Sequence, residues 1–155
     1  MLDDKFIRFI REHHVLTLAT CVNNQPYCCN CFYAYNEDQN YFVVKTNDNT
    51  RHNAEIEQNS KVAASIVLET KEVGKIQGLQ ITGQAVYCEH DELSPARKTY
   101  LSQYPYALAV PGEYLAIKPE FMKLTDNRFG FGKKLIWHNN NENQQQNTLP
   151  ETKKM

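Results

Sequence analysis

No uninterrupted apolar stretch of the 155-residue chain approaches the roughly 20 residues needed to span a bilayer. The N-terminus also lacks the apolar core and small-residue cleavage site of a secretory signal, so the expectation is a soluble, cytoplasmic protein. Charge of one sign is missing too: 17 basic and 18 acidic residues are interspersed, and a net charge of −1 offers no broad field to steer DNA or RNA. No Gly-x-Ser-x-Gly elbow, His-Glu-x-x-His helix or EF-hand loop occurs, which removes the common hydrolase and calcium-loop readings. The glycines of a phosphate loop or a dinucleotide fingerprint are likewise absent. The five cysteines, Cys21, Cys28, Cys29, Cys31 and Cys88, are an odd set within apolar, strand-like segments. They do not form a secreted disulfide framework and read as reduced thiols in the core, behaving as small hydrophobes.

What is present is patterning for one domain: 155 residues with 41% hydrophobic content suffice for a single core and are too few for two. Phe6, Ile7, Phe9 and Ile10 form a helical stripe between Leu2 and His13, with Asp3 and Asp4 suiting the positive end of the helix dipole. Strands are expected at Val15–Cys21, Tyr27–Tyr35, Tyr41–Thr46, Val62–Leu68 and Ile76–Cys88, with turns at 23–26 and 36–38. In the long segment, Leu79, Ile81, Gly83, Ala85 and Tyr87 share one face, and Gly83 permits a bend. Ser94-Pro95 predicts a helix start, the helix running to about Gln103. A further strand over Tyr114–Thr125 slips register near Pro119, as a bulge would; a turn at 126–128 and a strand over Lys133–Trp137 follow. The fold class is therefore mainly β with short helices: a six- to seven-stranded antiparallel barrel, closed or partly split. The Asn/Gln-rich residues 138–155 have almost nothing to bury and are expected to form a disordered polar tail after a domain at 1–137.

Two segments suit an anion. The first is the strand-to-helix junction running from Lys45-Thr46 through Asn47-Asp48-Asn49 to Thr50-Arg51-His52. A helix N-terminus offers unpaired N–H groups and about half a positive charge, so Arg51 and His52 in the first turn work against the dipole unless an anion sits there. The alternative is a solvent-facing turn. The second is Phe129-Gly130-Phe131-Gly132-Lys133-Lys134-Leu135-Ile136-Trp137, where glycines allow close approach, lysines supply charge and aromatics supply flat surface. These suit a phosphorylated aromatic ligand; the alternative is core or dimer interface with a solvated lysine rim. The Cys28-Cys29-Asn30-Cys31 cluster is not expected to hold metal: only Cys29 and Cys31 share a strand face, and zinc needs four ligands.

In its order of elements, and most specifically in Asn30-Cys31-Phe32-Tyr33, Thr50-Arg51-His52 and the segment from Phe129 to Trp137, the chain resembles the FMN-binding split barrels related to pyridoxamine 5′-phosphate oxidase. More narrowly it resembles their YhbP-like group. The resemblance implies a homodimer with FMN in a groove between two barrels. Thr50, Arg51 and His52 would hold the phosphate, Lys45 and Thr46 would meet the ring or ribityl chain, and Asn30 would belong to the cofactor set. Lys133, Lys134 and Trp137 would close the site, from this chain or from the second. The oxidases commonly carry lysine where this chain has His52, and their C-terminal substrate-binding arginine-histidine motif has no match here. Pyridoxamine phosphate oxidation is therefore not carried over. The expected function is a flavoprotein with oxidoreductase-type activity on a small molecule, without nucleic-acid or membrane partners and with no assigned catalytic side chain. The alternatives are a binding module for flavin, haem or another anionic planar ligand, and a cofactor-free dimer.

Overall fold

The computed structural model describes residues 1–140. Strands β1 (Val15–Val22), β2 (Gln25–Asn36), β3 (Tyr41–Thr46), β4 (Lys61–Val67), β5 (Gln77–Tyr87), β6 (Glu113–Asp126) and β7 (Lys134–His138) are interleaved with helices α1 (Asp4–Glu12), α2 (Arg51–Gln58) and α3 (Leu93–Gln103). All strands join one antiparallel sheet in the order β3-β2-β1-β4-β5-β6-β7, and a further β3–β6 pairing closes the first six into a barrel. Strands β3 and β7 pair with different stretches of β6, β3 with Glu113–Ile117 and β7 with Phe121–Thr125. No described helix is long and apolar enough to cross a membrane.

Strict alternation builds the wall. Strand β4 buries Val62, Ala64 and Ile66 and exposes the residues between, as a half-buried strand should. The inward residues of the barrel, including Leu16, Leu18, Phe42, Val44, Leu79, Ile81, Leu115, Ile117 and Met122, form one core into which α1 inserts Phe6, Phe9 and Ile10. Asp3 caps α1 through a carboxylate that accepts from the Lys5 amide at 2.8 Å. A second core lies between the opposite face of the wall and α3, where Val43 and Ala116 meet Ala96, Tyr100 and Tyr104.

The turn between β1 and β2 is shorter than the sequence suggests. Asn23 and Asn24 have φ of 53° and 60°, the left-handed pair of a two-residue hairpin, and Val22 is already paired with Gln25. Pro26 consequently lies inside β2, where its missing N–H would have pointed away from β1. The expected bulge is present: Thr82 faces Phe121 while Gly83 faces Pro119, leaving Glu120 as the extra residue on β6. A Cβ on Gly83 would fall 2.1 Å from the Lys118 carbonyl oxygen, so only glycine lets the two strands meet there.

Helix α3 starts one residue before the expected Ser94-Pro95 cap. A 3-10 turn over His90–Glu92 runs directly into it, and Pro95 sits in its first turn, where no intrahelical N–H bond is lost. Strand β6 continues through Asp126, and Asn127–Phe129 is a 3-10 turn held by the Asp126 carboxylate accepting from the Arg128 amide. Strand β7 includes His138, and the Asn139 amide donates to the Glu120 carbonyl at 2.9 Å, so pairing extends past residue 137. The remainder of the polar tail, 141–155, lies outside the described residues.

Candidate functional site

The barrel opens where β3 parts from β2. Tyr33 to Asn36 of β2 pair with β3, but Gln25 to Phe32 pair with β1 on one side only. Among the described residues, the other backbone edge of that half-strand has no strand partner. Strand β3 instead follows β6 to its last pair, Thr46 with Glu113, and the chain then turns through 47–50 into α2. Thr50 is the extended N-cap residue of α2, yet its hydroxyl donates to the Asn47 carbonyl at 3.0 Å rather than capping the helix. The first amides of α2 therefore lack a side-chain cap, as an anion-accepting turn requires.

A buried hydrogen-bond chain fixes the first turn. Asn53 is 1% exposed; its Nδ2 donates to the Asn47 carbonyl at 2.7 Å, which turns its Oδ1 toward Thr46. The Thr46 hydroxyl donates to that oxygen at 3.2 Å and so must accept from His52 Nε2, 2.6 Å away. His52 Nε2 also lies 3.2 Å from the Thr50 hydroxyl. The ring is thus held with Nε2 as its donor toward Thr46.

Arg51 points differently. Its guanidinium stacks 4.2 Å from the centroid of Tyr27 on β2, and Nε donates to Glu55 at 2.9 Å. No protein partner occupies its two terminal nitrogens among the described residues. Glu55 is buried and also accepts from the Thr20 hydroxyl; that bond and the Arg51 pair hold its carboxyl below the usual glutamate range.

The cysteines depart from expectation. All five are free thiols, but only Cys88 is buried: Cys21 and Cys28 are exposed, and Cys29 and Cys31 are half-buried. Alternation puts Cys21 of β1 and Cys28 of β2 on the outer face, and Cys29 and Cys31 face the other way on the half of β2 that has a strand on one edge only. Cys29 and Cys31 do share a face, with sulfurs 3.8 Å apart, and the fold brings His52 to them from 21 residues downstream of Cys31, the three potential ligand atoms lying within 4.8 Å of one another. A hydrogen bond from the Cys31 thiol, assisted by His52, lowers the Cys29 thiol to about 5, while donation to Cys29 and burial push Cys31 up. Thus the histidine that serves the cysteines is neither His13 nor His14, their nearest neighbours in sequence.

The remaining expected site residues lie elsewhere in the chain. Lys45 points to the α3 face, where its Nζ donates to the Ala107 carbonyl at 2.6 Å and to the Val110 carbonyl, and lies over the Tyr114 ring. There it lines an open groove of about 670 Å³ together with His90, Arg97, Val110 and Tyr114. Asn30 is exposed on the β2 face opposite Cys29 and Cys31 and accepts from Thr17 at 3.0 Å. Lys133 lines a cleft of about 90 Å³ with Lys5, Arg8 and Phe129, to which none of Asn30, Lys45, Thr46, Thr50, Arg51 or His52 contributes. Lys134 is exposed opposite Thr125, and Trp137 is half-buried against the barrel core opposite Met122. The fold of one chain therefore gathers Thr46, Thr50, Arg51 and His52, and leaves Lys133, Lys134 and Trp137 on the β6–β7 ribbon. Sequence reasoning missed Tyr27, Asn53 and Glu55. Alternation in β2 could have put Tyr27 on the face of Cys29, whereas nothing local marks Asn53 or Glu55.

Comparison with known proteins agrees with this architecture. The family model described as pyridoxamine 5′-phosphate oxidase matches residues 2–128. The UPF0306 protein YhbP of Salmonella arizonae is 34% identical over 138 residues, covering 89% of this chain and 94% of that protein. Among solved structures, a heme binding protein from Mycobacterium smegmatis superposes with a TM-score of 0.70 at 19% identity over 84% of this chain, which spans only 55% of that larger protein. An FAD binding protein from the same organism gives a TM-score of 0.62 at 12% identity, covering 79% of this chain and 93% of that one. At such identities the structural likeness speaks for the fold; sequence similarity adds the lineage. The chain belongs to the pyridoxamine 5′-phosphate oxidase-like family of split barrels and, within it, to the UPF0306 YhbP-like group.

Proposed function

We propose that the protein is an FMN-binding flavoprotein, acting as a homodimer in the redox chemistry of a small molecule. The observation that carries this reading is the unpaired backbone edge of Gln25–Phe32, open beside an α2 first turn that has uncapped amides and Arg51. A flat heterocycle with donors and acceptors along its rim suits a free strand edge, and a phosphate suits the helix N-terminus with a guanidinium beside it. FMN carries both groups. When bound, the flavin supplies electron transfer; the protein binds, orients and shields it. Arg51 has two guanidinium nitrogens for the phosphate, the Thr50 hydroxyl could join them by turning from the Asn47 carbonyl, and Glu55 keeps the arginine in place while adding some competing negative charge.

The lysines and tryptophan of the β6–β7 ribbon fit the same reading if they come from a second copy. Exposed apolar side chains suited to such a contact are Phe32, opposite Val15, and Tyr106 and Leu108, the last two 65% exposed. The heme- and FAD-binding neighbours support a planar cofactor of this general kind. The test is an absorption spectrum of the purified protein before and after addition of FMN and desalting. Retained flavin bands, with FMN held better than riboflavin, are expected; a protein that holds no flavin overturns the reading, and a Soret band redirects it to haem. Arg51→Ala is expected to weaken FMN binding about 10- to 100-fold, the loss of a charge-assisted phosphate contact.

A further inference from the structure

We propose that Cys29, Cys31 and His52 form a three-ligand site for a zinc ion, with the fourth coordination position open to solvent. The three side chains come from two elements, alternate residues of β2 and the first turn of α2, and their donor atoms lie within 4.8 Å of one another. The sulfur separation is the discriminating distance. Two thiolates bound to tetrahedral zinc at about 2.3 Å lie about 3.8 Å apart, and the observed separation is 3.8 Å. A disulfide would instead require the sulfurs to close to about 2.05 Å between neighbours on one strand face. The imidazole nitrogen must stand about 3.6 Å from each sulfur in such a site, so it needs to move by roughly 1 Å at most.

The surroundings meet the other demands of a metal. Soft thiolates with imidazole select zinc over the hard cations. His52 already donates Nε2–H to Thr46, the outer hydrogen bond that fixes a ligating imidazole, and the Asn53–Asn47 chain fixes Thr46 in turn. Zinc binding would displace the thiol protons, and two thiolates would neutralise the divalent charge in a half-buried setting. Two cysteines and one histidine with a free fourth position is the donor set of a zinc that takes an exogenous ligand rather than of a closed structural site. The site goes beyond the flavin reading: it shares His52 and its partner Thr46 with it, and it uses the side chains of Cys29 and Cys31 where that reading uses the backbone edge of β2.

The experiment is cobalt titration of the reduced, metal-free full chain, followed by zinc displacement. A saturable spectrum with visible tetrahedral bands and sulfur-to-cobalt charge transfer is expected at one ion per chain, bleached by zinc. Cys29→Ser, Cys31→Ser and His52→Ala should each abolish it, whereas Cys21→Ser and Cys28→Ser should leave it intact. Thr46→Val should weaken affinity about 10- to 100-fold without changing the ligand set. X-ray absorption on the loaded wild-type protein reads the ligands without any variant, and two sulfurs with one imidazole are expected. Absence of a spectrum, a spectrum that survives loss of both Cys29 and Cys31, or a sulfur count other than two overturns the site. Because Arg51→Ala should weaken FMN and leave cobalt binding unchanged, while Cys31→Ser should do the reverse, either reading can fail alone.

Discussion

The hydroxyl of Thr46 stands 2.6 Å from Nε2 of His52, and its only proton goes to Asn53. This contact ties the last residue of β3 to the first turn of α2 and sets the tautomer of the imidazole. Thr46→Val keeps the side-chain shape but leaves Asn53 Oδ1 without its donor and His52 Nε2–H with only the longer contact to the Thr50 hydroxyl. The expected loss is about 1–3 kcal/mol of stability, the penalty of unsatisfied buried groups. Thr46→Ser should restore most of it. Urea denaturation of the three proteins decides, and an unaffected Thr46→Val would show that the chain of bonds does not hold the turn.

Gly83 is where the barrel wall bends. A methyl group there would lie 2.1 Å from the Lys118 oxygen and 3.0 Å from Pro119 Cα, backbone that can yield only by pulling β5 from β6. Gly83→Ala is expected to cost about 1–3 kcal/mol or more. Gly78→Ala, on the same strand, meets its nearest atom at an ordinary 3.7 Å and should be nearly neutral. Equal midpoints for the two variants in thermal unfolding would remove the steric account.

Local periodicity carried the strands because each half-buried strand writes its own alternation into the sequence, and Tyr41–Thr46 was read to the residue. Boundaries slipped where a neighbour decided them. Pro26 looked like a turn residue until the open β2 edge made its missing N–H harmless, and Ser94 looked like a cap until a 3-10 turn ran into α3 ahead of it. The site was legible in part: Thr50, Arg51 and His52 share one helical turn and Thr46 joins them by proximity in sequence. The pairing of His52 with Cys29 and Cys31 was not legible, because it depends on how α2 crosses the split. Alternation alone puts the adjacent strand residues Lys45 and Thr46 on opposite faces, but only the fold shows that Lys45 lines the groove beside α3 while Thr46 bonds His52.

Glu55 gives the fold an acid sensitivity of definite sign. Its carboxyl is held below the ordinary range by Thr20 and Arg51, so the folded state binds that proton less readily than the unfolded chain. The stabilisation is present in full above the ordinary glutamate value of about 4.3 and is lost as pH falls through the lowered folded value. Glu55→Gln should therefore be less stable than the wild type at neutral pH, with the gap narrowing in acid. Chemical denaturation of both proteins across that range checks it; a gap that widens in acid would reverse the assignment.

Thiol chemistry should separate the cysteines by burial. Cys88 is 7% exposed, and burial, with Glu92 adding to it, pushes its thiol up to about 11. It should resist alkylation in the native protein at neutral pH and react only on unfolding, while the exposed Cys21 and Cys28, and the half-buried Cys29 with its lowered thiol, label before it. Peptide mass spectrometry after a timed iodoacetamide pulse identifies the order. Early labelling of Cys88 would mean that α3 and the second core open readily.

The proposed homodimer can be tested where the chain exposes apolar surface. Leu108 and Tyr106 sit in the 3-10 turn Pro105–Ala109 and are each 65% exposed, whereas Ala107 between them is buried and holds the turn to the second core. Replacing Leu108 or Tyr106 by Asp should therefore leave the far-ultraviolet circular dichroism unchanged and act chiefly on what covers them, Tyr106 giving up only its edge-on ring contact with Tyr104. If a second copy does, each variant should shift the light-scattering mass from dimer toward monomer. FMN retention should fall with it, because Lys133, Lys134 and Trp137 lie on the β6–β7 ribbon rather than among the residues gathered at α2. A wild-type protein that is monomeric yet retains FMN would place the whole cofactor site within one barrel. A variant that becomes monomeric with undiminished FMN affinity would separate dimerisation from cofactor binding and leave the ribbon residues without a role in closure.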